Sequence, residues 1–241
     1  MKISDRYFVD PSFEENPVLT FDTAGQDTYW NASHIGGARF YQRPVYDLAY
    51  RKLLERGGQV LVDVGCGAAP KLDWLQRRNR DIKIVGIDQP SAIAFCRAHW
   101  NFGQWFEANL DEPLPASIPR HVADVTICAD VIEHVRSPEV LLNHLRAVTK
   151  HDGLIVVSTP ERLLTNGPHA KRSPNKYHVR EWTTDEFGAM LKYFGFKVLD
   201  QQLQMPMNLH FGRLAWEHII KRRLKGLPTH HNQVAILQPG Y

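Results

Sequence analysis

The amino-acid sequence predicts an α/β fold: a mostly parallel sheet of seven strands with helices on both of its faces. Apolar runs of strand length alternate with helical periods from about residue 40 to residue 205, as in a parallel sheet. A glycine-rich turn follows the first apolar run, which is typical of sheets that bind a ligand at their carboxyl edge. At 241 residues the chain is long enough for one such domain with an insertion.

The first half of the sheet is predicted from three short apolar segments. Residues 59–65 form a nearly continuous apolar run, which is typical of a strand buried on both faces. Pro70 is well placed as the first residue of the next helix, because the first helical turn leaves its N–H groups unpaired and proline has none. The predicted elements of this half are a helix at 41–56, strands at 59–65, 82–88 and 104–108, and helices at 70–79 and 91–100.

The second half begins with the apolar run 122–128, which predicts the fourth strand. The Asp152-Gly153 pair is typical of a turn and leads into a fifth strand at 154–158. Thr183 and Glu186 have the spacing of a capping box and predict the start of a helix. The other predicted elements are a helix at 138–150, closing strands at 196–203 and 233–237, and a helix within 208–225.

Composition narrows the class of protein. The net charge is only +3, from 29 basic and 26 acidic residues, which argues against nucleic acid as a partner. The three cysteines are widely spaced in or beside apolar segments, which predicts reduced thiols rather than a thiolate metal site. No apolar leader and no run of membrane-spanning length occurs. We therefore expect a cytoplasmic protein without a transmembrane segment; nothing in the sequence indicates its oligomeric state.

The turn Asp63-Val-Gly-Cys-Gly indicates a nucleotide-type ligand. Gly65 and Gly67 let the backbone turn sharply and approach a ligand closely. A dinucleotide fingerprint would have a glycine where Pro70 stands, and Asp63 suits a cationic ligand better than a pyrophosphate. Asp88 ends the second strand at about the spacing at which an acid accepts ribose hydroxyls. An adenosine with a cationic tail is S-adenosylmethionine, which we predict as the cofactor in preference to a nicotinamide dinucleotide.

Further motifs follow the fourth and fifth strands. Asp130-Val-Ile-Glu-His follows the fourth strand, Ser158-Thr-Pro ends the fifth, and the segment from Tyr177 to Thr183 precedes the next helix. With these motifs, about residues 40–205 resemble the class I S-adenosylmethionine-dependent methyltransferases, nearest to the group of ubiquinone-biosynthesis, sugar and natural-product O-methyltransferases. The resemblance implies a methyl-transferring enzyme with a Rossmann-like sheet whose last strand is antiparallel.

The resemblance also implies where the cofactor binds. The glycine turn would hold the methionine end, Asp88 the ribose, and the residues after the third strand the adenine. Ala69 stands where a third glycine is frequent, and Asn109 where an aspartate is common; both departures are mild. The predicted cofactor-binding residues are Asp63, Gly65, Cys66, Gly67, Asp88, Gln89, Asn109, Leu110 and Ala129.

Catalysis needs little beyond positioning and the removal of one proton, because the sulfonium already activates the methyl group. His134 is the preferred candidate for the general base, since an imidazole accepts a proton near neutral pH; the alternative is a histidine that only caps its loop. Asp130 and His178 are predicted to orient the base or the acceptor.

A divalent metal is a second interpretation of the same residues. Asp130, Glu133, His134 and His178 offer two carboxylates and two imidazoles, which could hold an ion that lowers the pKa of the acceptor hydroxyl. The small-RNA 3′-terminal 2′-O-methyltransferases resemble this arrangement, with a glutamate where Asp130 stands. Because many relatives carry similar residues and use no metal, we do not favour a metal site.

Residues 1–241 are predicted to form a single methyltransferase domain with four parts. Residues 1–58 would be an N-terminal cap and helix, 59–160 the cofactor-binding core, 161–180 an acceptor loop, and 205–228 a helical insertion before the last strand. The acceptor loop carries five basic residues, which hints at an anionic acceptor. The basic end of the insertion either complements the helix dipole or meets an anionic substrate or membrane surface.

The leading functional hypothesis is O-methylation of a hydroxyl on a sugar, glycan or related small molecule, anionic or glycosidic in character. The runner-up is a metal-assisted RNA 2′-O-methyltransferase, against which the modest net charge argues. A non-catalytic S-adenosylmethionine-binding protein is the alternative of a different class.

Overall fold

The computed structural model describes residues 7–18, 38–208 and 212–240. Most of the predicted N-terminal cap, residues 1–6 and 19–37, and residues 209–211 of the predicted insertion lie outside the described residues. No helix of the described ranges is both long enough and apolar enough to cross a membrane.

The described chain forms a single seven-stranded sheet. Its strands are β1 (Val60–Val64), β2 (Lys83–Asp88), β3 (Gly103–Glu107), β4 (Ala123–Ala129), β5 (Thr149–Pro160), β6 (Lys197–Gln204) and β7 (Asn232–Gln238). Their order in space is β3-β2-β1-β4-β5-β7-β6. Every pair is parallel except that β7 runs antiparallel to both of its neighbours. The predicted fold class, with its antiparallel last strand, is confirmed.

Helices connect these strands. They are α1 (Arg43–Glu55), α2 (Pro70–Arg78), α3 (Pro90–His99), α4 (Pro138–Val148), α5 (Arg162–Asn166), α6 (Thr184–Tyr193) and α7 (Arg213–Leu224). Pro70 is the first residue of α2, and the capping box of Thr183 and Glu186 starts α6, both as predicted. Because α5 lies within residues 161–180, the acceptor loop is partly helical and not irregular throughout.

The sheet has an apolar core on each face, as the alternation of strand side chains requires. On β1, Leu61 packs with Leu53 of α1 and Leu72 of α2. Val62 and Val64 point to the opposite core, which includes residues of α4 and α6. After β1 the chain continues to β2 on one side of β1, whereas after β4, which lies on the other side, it continues away to β5. The connections that follow β1 and β4 therefore diverge at the carboxyl ends of these two strands. That divergence is where sheets of this kind bind ligands.

The fifth strand differs from its prediction. It begins at Thr149, and the predicted Asp152-Gly153 turn lies within it. The pairing with β4 shifts from Ala123–Thr149 to Val125–Leu154, so the intervening residues bulge out of the ladder. A turn signal in the sequence thus marks a bulge inside one strand.

Candidate functional site

A buried carboxylate stands near the carboxyl end of β1. Asp63 is fully buried, and the hydroxyl of Tyr46 on α1 donates a 2.7 Å hydrogen bond to its Oδ2. Its Oδ1 is also buried and has no hydrogen-bond partner among the described residues. Burial raises the pKa of Asp63 to about 7, although the Tyr46 hydrogen bond and the Lys71 cation oppose the rise. An unsatisfied buried carboxylate oxygen is a binding point for a donor or a cation.

The glycine turn packs tightly against the residues after β4. Gly65 has φ 85°, and a Cβ at this position would lie 2.3 Å from Cγ2 of Val131. Its N–H donates to the carbonyl of Ile87 at 2.8 Å. Gly67 and Ala69 both have φ 56°, in the left-handed region. Because alanine adopts this conformation at a cost of about 1 kcal/mol, the preference for a third glycine at position 69 has a conformational reason.

Asp88 fastens the turn to the end of β2. Its Oδ2 accepts a 2.7 Å hydrogen bond from the N–H of Gly67, and its Oδ1 accepts one of 2.7 Å from the N–H of Gln89. Cys66 behaves differently, because its side chain is buried in the core with Cys96 and burial raises the pKa of its thiol. Of the predicted cofactor residues, Cys66 thus contributes its backbone to the turn and its side chain to the core.

Asn109 and Leu110 follow β3 beside Asp88. The N–H of Ala108 donates to the carbonyl of Asp88 at 2.9 Å, which places the turn after β3 next to the end of β2. The side chain of Asn109 is exposed and closes its own turn, since it accepts from the N–H of Asp111 and donates to Glu112. Its contact with an adenine stays a prediction.

Asp130 stands directly after Ala129, the last residue of β4, with φ 52°. The hydroxyl of Ser158 donates to its Oδ1 at 2.7 Å, and the side-chain amide of Gln42 donates to its Oδ2. The amide oxygen of Gln42 in turn accepts a 2.6 Å hydrogen bond from Asn232. Burial raises the pKa of Asp130, and the Ser158 hydrogen bond opposes that rise. This carboxylate is therefore held by β5, by the start of α1 and, indirectly, by β7.

The imidazoles of His134 and His178 meet edge to face, with their ring centroids 4.8 Å apart. Nδ1 of His134 lies 2.8 Å from the carbonyl of Tyr177 and must carry its proton, because a carbonyl only accepts. Burial, with the neighbouring His178, lowers the pKa of His134 to about 4. Nδ1 of His178 lies 2.5 Å from Oε1 of the buried Glu181, which also accepts a hydrogen bond from Ser173.

Glu133 is buried beside this histidine pair. Thr159 donates to its Oε2 at 2.9 Å, while its Oε1 has no hydrogen-bond partner in the described ranges and lies 3.9 Å from Nε2 of His134. Burial and the nearby charge of Asp130 raise the pKa of Glu133 well above its usual range. One ligand atom each from Glu133, His134 and His178 lie within 4.8 Å of one another. The structure thus brings three of the four predicted metal-ligand candidates together, while Asp130 is engaged by Ser158 and Gln42.

A cavity of about 330 Å³ opens beside these residues at the carboxyl ends of β4 and β5. Asp130 and His178 line it, whereas His134 is not among the described residues that do. Much of the remaining wall carries hydrogen-bonding side chains: Gln42, Thr165, Asn166, Ser173, Asn175 and Asn232. The wall is therefore rich in polar side chains, several of which are already hydrogen-bonded within the chain: Gln42 to Asp130 and Asn232, and Asn166 and Ser173 to Glu181.

Three of the five basic residues of the acceptor loop form ion pairs within the chain. Its three arginines form ion pairs: Arg162 with Glu186, Arg172 with Glu14, and Arg180 with Glu15. Asn16 further ties the loop to the N-terminal segment by donating to three of its carbonyls. These ion pairs hold the loop in place; Lys171 and Lys176 are its other two basic residues, and the anionic character of the acceptor stays a prediction.

Comparison with known proteins decides the family. A family described as a methyltransferase domain matches residues 37–201, which is well over half of the chain. The chain belongs to this methyltransferase family. The predicted class I S-adenosylmethionine-dependent methyltransferase family, and S-adenosylmethionine as its cofactor, are thereby confirmed.

Individual relatives of this methyltransferase agree with the family. A probable S-adenosylmethionine-dependent methyltransferase of Mycobacterium tuberculosis (strain ATCC 25618 / H37Rv) is 30% identical over 154 residues, 63% of this chain and 54% of that protein. A ubiquinone biosynthesis O-methyltransferase of Rhodopseudomonas palustris (strain BisA53) is 30% identical over 119 residues, 48% of this chain and 46% of the relative. The chain thus spans about half the length of the curated relatives that it matches.

Among solved structures, the plantazolicin methyltransferase BamL, in complex with a triazolic desmethylPZN analogue and SAH, has the same fold. Its TM-score is 0.59 at 12% identity, with 87% of this chain and 91% of the other covered. At that identity the likeness concerns the fold alone.

The sequence did not reveal several residues of the candidate site. Tyr46 and Gln42 meet Asp63 and Asp130 only through tertiary contacts, and no local pattern marks them. Glu181 lies three residues after His178, a spacing that could have suggested the pair. Lys71 carries a signal too, because a cation in the first turn of α2 opposes the helix dipole and therefore needs another reason.

We expect the tight packing at Gly65 to show in stability. Gly65→Ala combines a left-handed φ with a contact of 2.3 Å and should lower the free energy of unfolding by about 2–5 kcal/mol. Gly57→Ala is the matched control, because Gly57 also has a positive φ but nothing within 4 Å of its would-be Cβ; it should cost only about 1 kcal/mol. Equal losses of the two variants in urea unfolding would show that contact with Val131 is unimportant.

Proposed function

We propose that the protein transfers the methyl group of S-adenosylmethionine to a hydroxyl of a sugar, glycan or related polar small molecule. The observation that carries this proposal is the pair of His178 and the buried Glu181 at the wall of the polar cavity, beside the carboxyl end of β4. A carboxylate on Nδ1 fixes the imidazole so that Nε2 accepts a proton, and it stabilises the imidazolium that forms.

The residues around the glycine turn fit the cofactor. The unsatisfied Oδ1 of Asp63 suits the ammonium group of the methionine end, and the absence of Cβ atoms at Gly65 and Gly67 permits close approach. Asp88, fixed by the turn, is placed for the ribose hydroxyls. Lys71, whose Nζ lies 4.8 Å from the centre of the Tyr46 ring, is the cation for the cofactor carboxylate. The adenine would lie beside Asn109 and Leu110, and the methionine portion beside Ala129, as the sequence predicts.

The protein would act by positioning and by accepting one proton. When bound, S-adenosylmethionine supplies a methyl group on a positively charged sulfur, whose S–C bond electrons stay with the sulfur. The polar wall would hold the acceptor, and Nε2 of His178 would take the proton of its hydroxyl group. Asp130 is held by hydrogen bonds from Ser158 and Gln42 and forms part of one side of the cavity.

This assignment moves the base from His134 to His178. The low pKa of His134 makes it a weak proton acceptor, and its Nδ1–H is committed to the carbonyl of Tyr177. His134 would instead support the ring of His178 by edge-to-face packing.

The class of acceptor is supported by two observations. The hydroxyl and amide groups along the cavity match a polyhydroxylated molecule, since they both donate and accept hydrogen bonds. The ubiquinone biosynthesis O-methyltransferases among the relatives have oxygen as the methylated atom in their name.

The test of the base compares two histidines by turnover. With an acceptor found by screening sugars, nucleotide sugars and phenols, His178→Asn should lower kcat by about a hundredfold or more, and Glu181→Gln by about tenfold. The Kd for S-adenosylmethionine, measured by calorimetry, should stay within about twofold in both variants, as neither residue is placed at the cofactor. His134→Ala should lose less turnover than His178→Asn.

A larger loss in His134→Ala would restore His134 as the base. Cofactor binding without transfer to any hydroxyl acceptor would favour a non-catalytic S-adenosylmethionine-binding protein.

Cofactor affinity should depend on the protonation of Asp63. Its pKa is raised to about 7, so the carboxylate that attracts the cofactor's ammonium becomes neutral as the pH falls through 7. The Kd should weaken by about tenfold or more between pH 7.5 and pH 5.5, and Asp63→Asn should be weaker at pH 7.5 and nearly independent of pH. A parallel pH dependence in wild type and variant would assign the effect to another group.

A metal-assisted methyltransferase, including one that acts on an RNA 2′-hydroxyl, is the second candidate. It is favoured by the close grouping of Glu133, His134 and His178 and by the unsatisfied Oε1 of Glu133. Carboxylate and imidazole ligands suit a divalent transition metal, which would lower the pKa of the acceptor hydroxyl.

Chelation separates the two candidates. The first proposal expects full turnover after dialysis against excess EDTA, because His178 removes the proton without an ion. Loss of turnover that one added divalent metal restores would establish the second candidate, and Glu133→Gln should then weaken binding of that metal in calorimetry.

A further inference from the structure

The outward face of α7 carries a stripe of large apolar side chains. Trp216, Ile220 and Leu224 are 57%, 53% and 82% exposed, respectively. Their four-residue spacing places them one helical turn apart along the same face. A row of exposed large apolar residues on a short helix is unusual for a surface that meets only water.

The opposite face of α7 fixes the direction of this stripe. Ala215 and Ile219 are buried, and the guanidinium of Arg222 donates to the carbonyls of Pro228 and Leu164. These contacts set the rotation of the helix about its axis, so that the stripe formed by Trp216, Ile220 and Leu224 faces outward.

Cations flank the stripe. At about 100° per residue, Arg223 lies on one side of Ile220 and Lys221 on the other, and both are exposed. Lys225 follows the end of the helix. The one acidic residue of α7, Glu217, is paired with Arg213 at 2.7 Å, and no aspartate or glutamate follows Glu217 in the chain. The unpaired charged residues that α7 itself places beside the stripe are therefore cations.

From this arrangement, we propose that the outward face of α7 docks on an anionic lipid surface. Trp216, Ile220 and Leu224 enter the boundary between headgroups and acyl chains, and the flanking cations pair with lipid phosphates. Tryptophan suits this position because its ring is apolar and its N–H is polar. A second copy of the chain is disfavoured as the occupant, because a symmetric contact would bring two faces that both carry Lys221 and Arg223 together, and like charges repel.

Docking would bring the acceptor cavity close to the lipid. His218 on the flank of α7 lies 3.2 Å from His231, nitrogen to nitrogen, and His231 lines the cavity. Arg222 joins the helix to α5 through the Leu164 carbonyl. The cavity is therefore one helix away from the docked surface, which gives access to acceptors held at a membrane.

The test is co-sedimentation of the full chain with vesicles. Wild-type protein should bind vesicles of phosphatidylcholine with phosphatidylglycerol at least about tenfold more tightly than pure phosphatidylcholine, and 0.5 M salt should weaken that binding. The double variants Trp216→Ser with Leu224→Ser, and Lys221→Gln with Arg223→Gln, should each bind the anionic vesicles about tenfold more weakly. Leu199→Ser with Leu203→Ser is the matched control, because it removes two exposed leucines of β6 and should change binding less than twofold.

Unchanged thermal unfolding and an unchanged Kd for S-adenosylmethionine will show that each variant is folded. The proposal is overturned if the wild-type chain does not bind anionic vesicles, or if the α7 variants bind as wild type does. It is also overturned if the purified chain is a dimer that dissociates on replacement of Trp216 and Leu224, since a second copy then covers the face.

Discussion

The buried carboxylate of Asp63 is the constraint on which the site depends. Removing an ionised carboxyl group from water costs several kcal/mol unless partners compensate it. Here one oxygen accepts from the Tyr46 hydroxyl, while the other has no partner among the residues that the structure describes. When it is ionised, Asp63 therefore lowers the free energy of unfolding of the cofactor-free protein. Such a group is retained where a ligand completes its contacts, which is the role of the cofactor's ammonium in our proposal.

Tyr46 makes α1 part of the site as well as part of the core. Its hydroxyl reaches Asp63, while Gln42, just before α1, reaches Asp130 on the neighbouring strand. The segment that contains Gln42 and Tyr46 thus orients both carboxylates, Asp63 and Asp130, at the carboxyl ends of β1 and β4. Asn232 of β7 binds the other end of the Gln42 amide, so the far side of the sheet is tied to the same network. These hydrogen bonds fix the two carboxylates relative to each other, while Oδ1 of Asp63 and Oδ1 of Asn232 have no hydrogen-bond partner among the described residues.

The secondary-structure elements that the sequence predicted are those whose formation depends on residues close together in the chain. The apolar run of β1, Pro70 at the start of α2 and the capping box of α6 each depend on neighbouring residues, and they lie close to where they were expected. The left-handed turn at Gly65 is local too.

The features that the sequence did not predict depend on distant partners. Nothing near Arg162 or Arg180 shows that they pair with Glu186 and Glu15, and so their charges were assigned to a ligand. The partner of His178 was close in sequence but became significant only when the cavity placed that histidine at its wall.

The two histidines also show why base and metal interpretations fall on the same residues. His134 and His178 are each anchored through Nδ1, one by a carbonyl and the other by a carboxylate, which is the arrangement that serves a metal ligand and a general base equally well. The pKa of Glu133 bears on the choice between the base and the metal interpretation. Burial raises the pKa of this carboxyl group, which favours its protonated form, and a protonated Glu133 would need no cation beside it. An ion would have to displace a proton from Glu133, and Asp130, which Ser158 and Gln42 already engage, is not free to join Glu133, His134 and His178 as a fourth ligand. In our proposal, His178 with Glu181 is therefore the proton acceptor for methyl transfer to a hydroxyl.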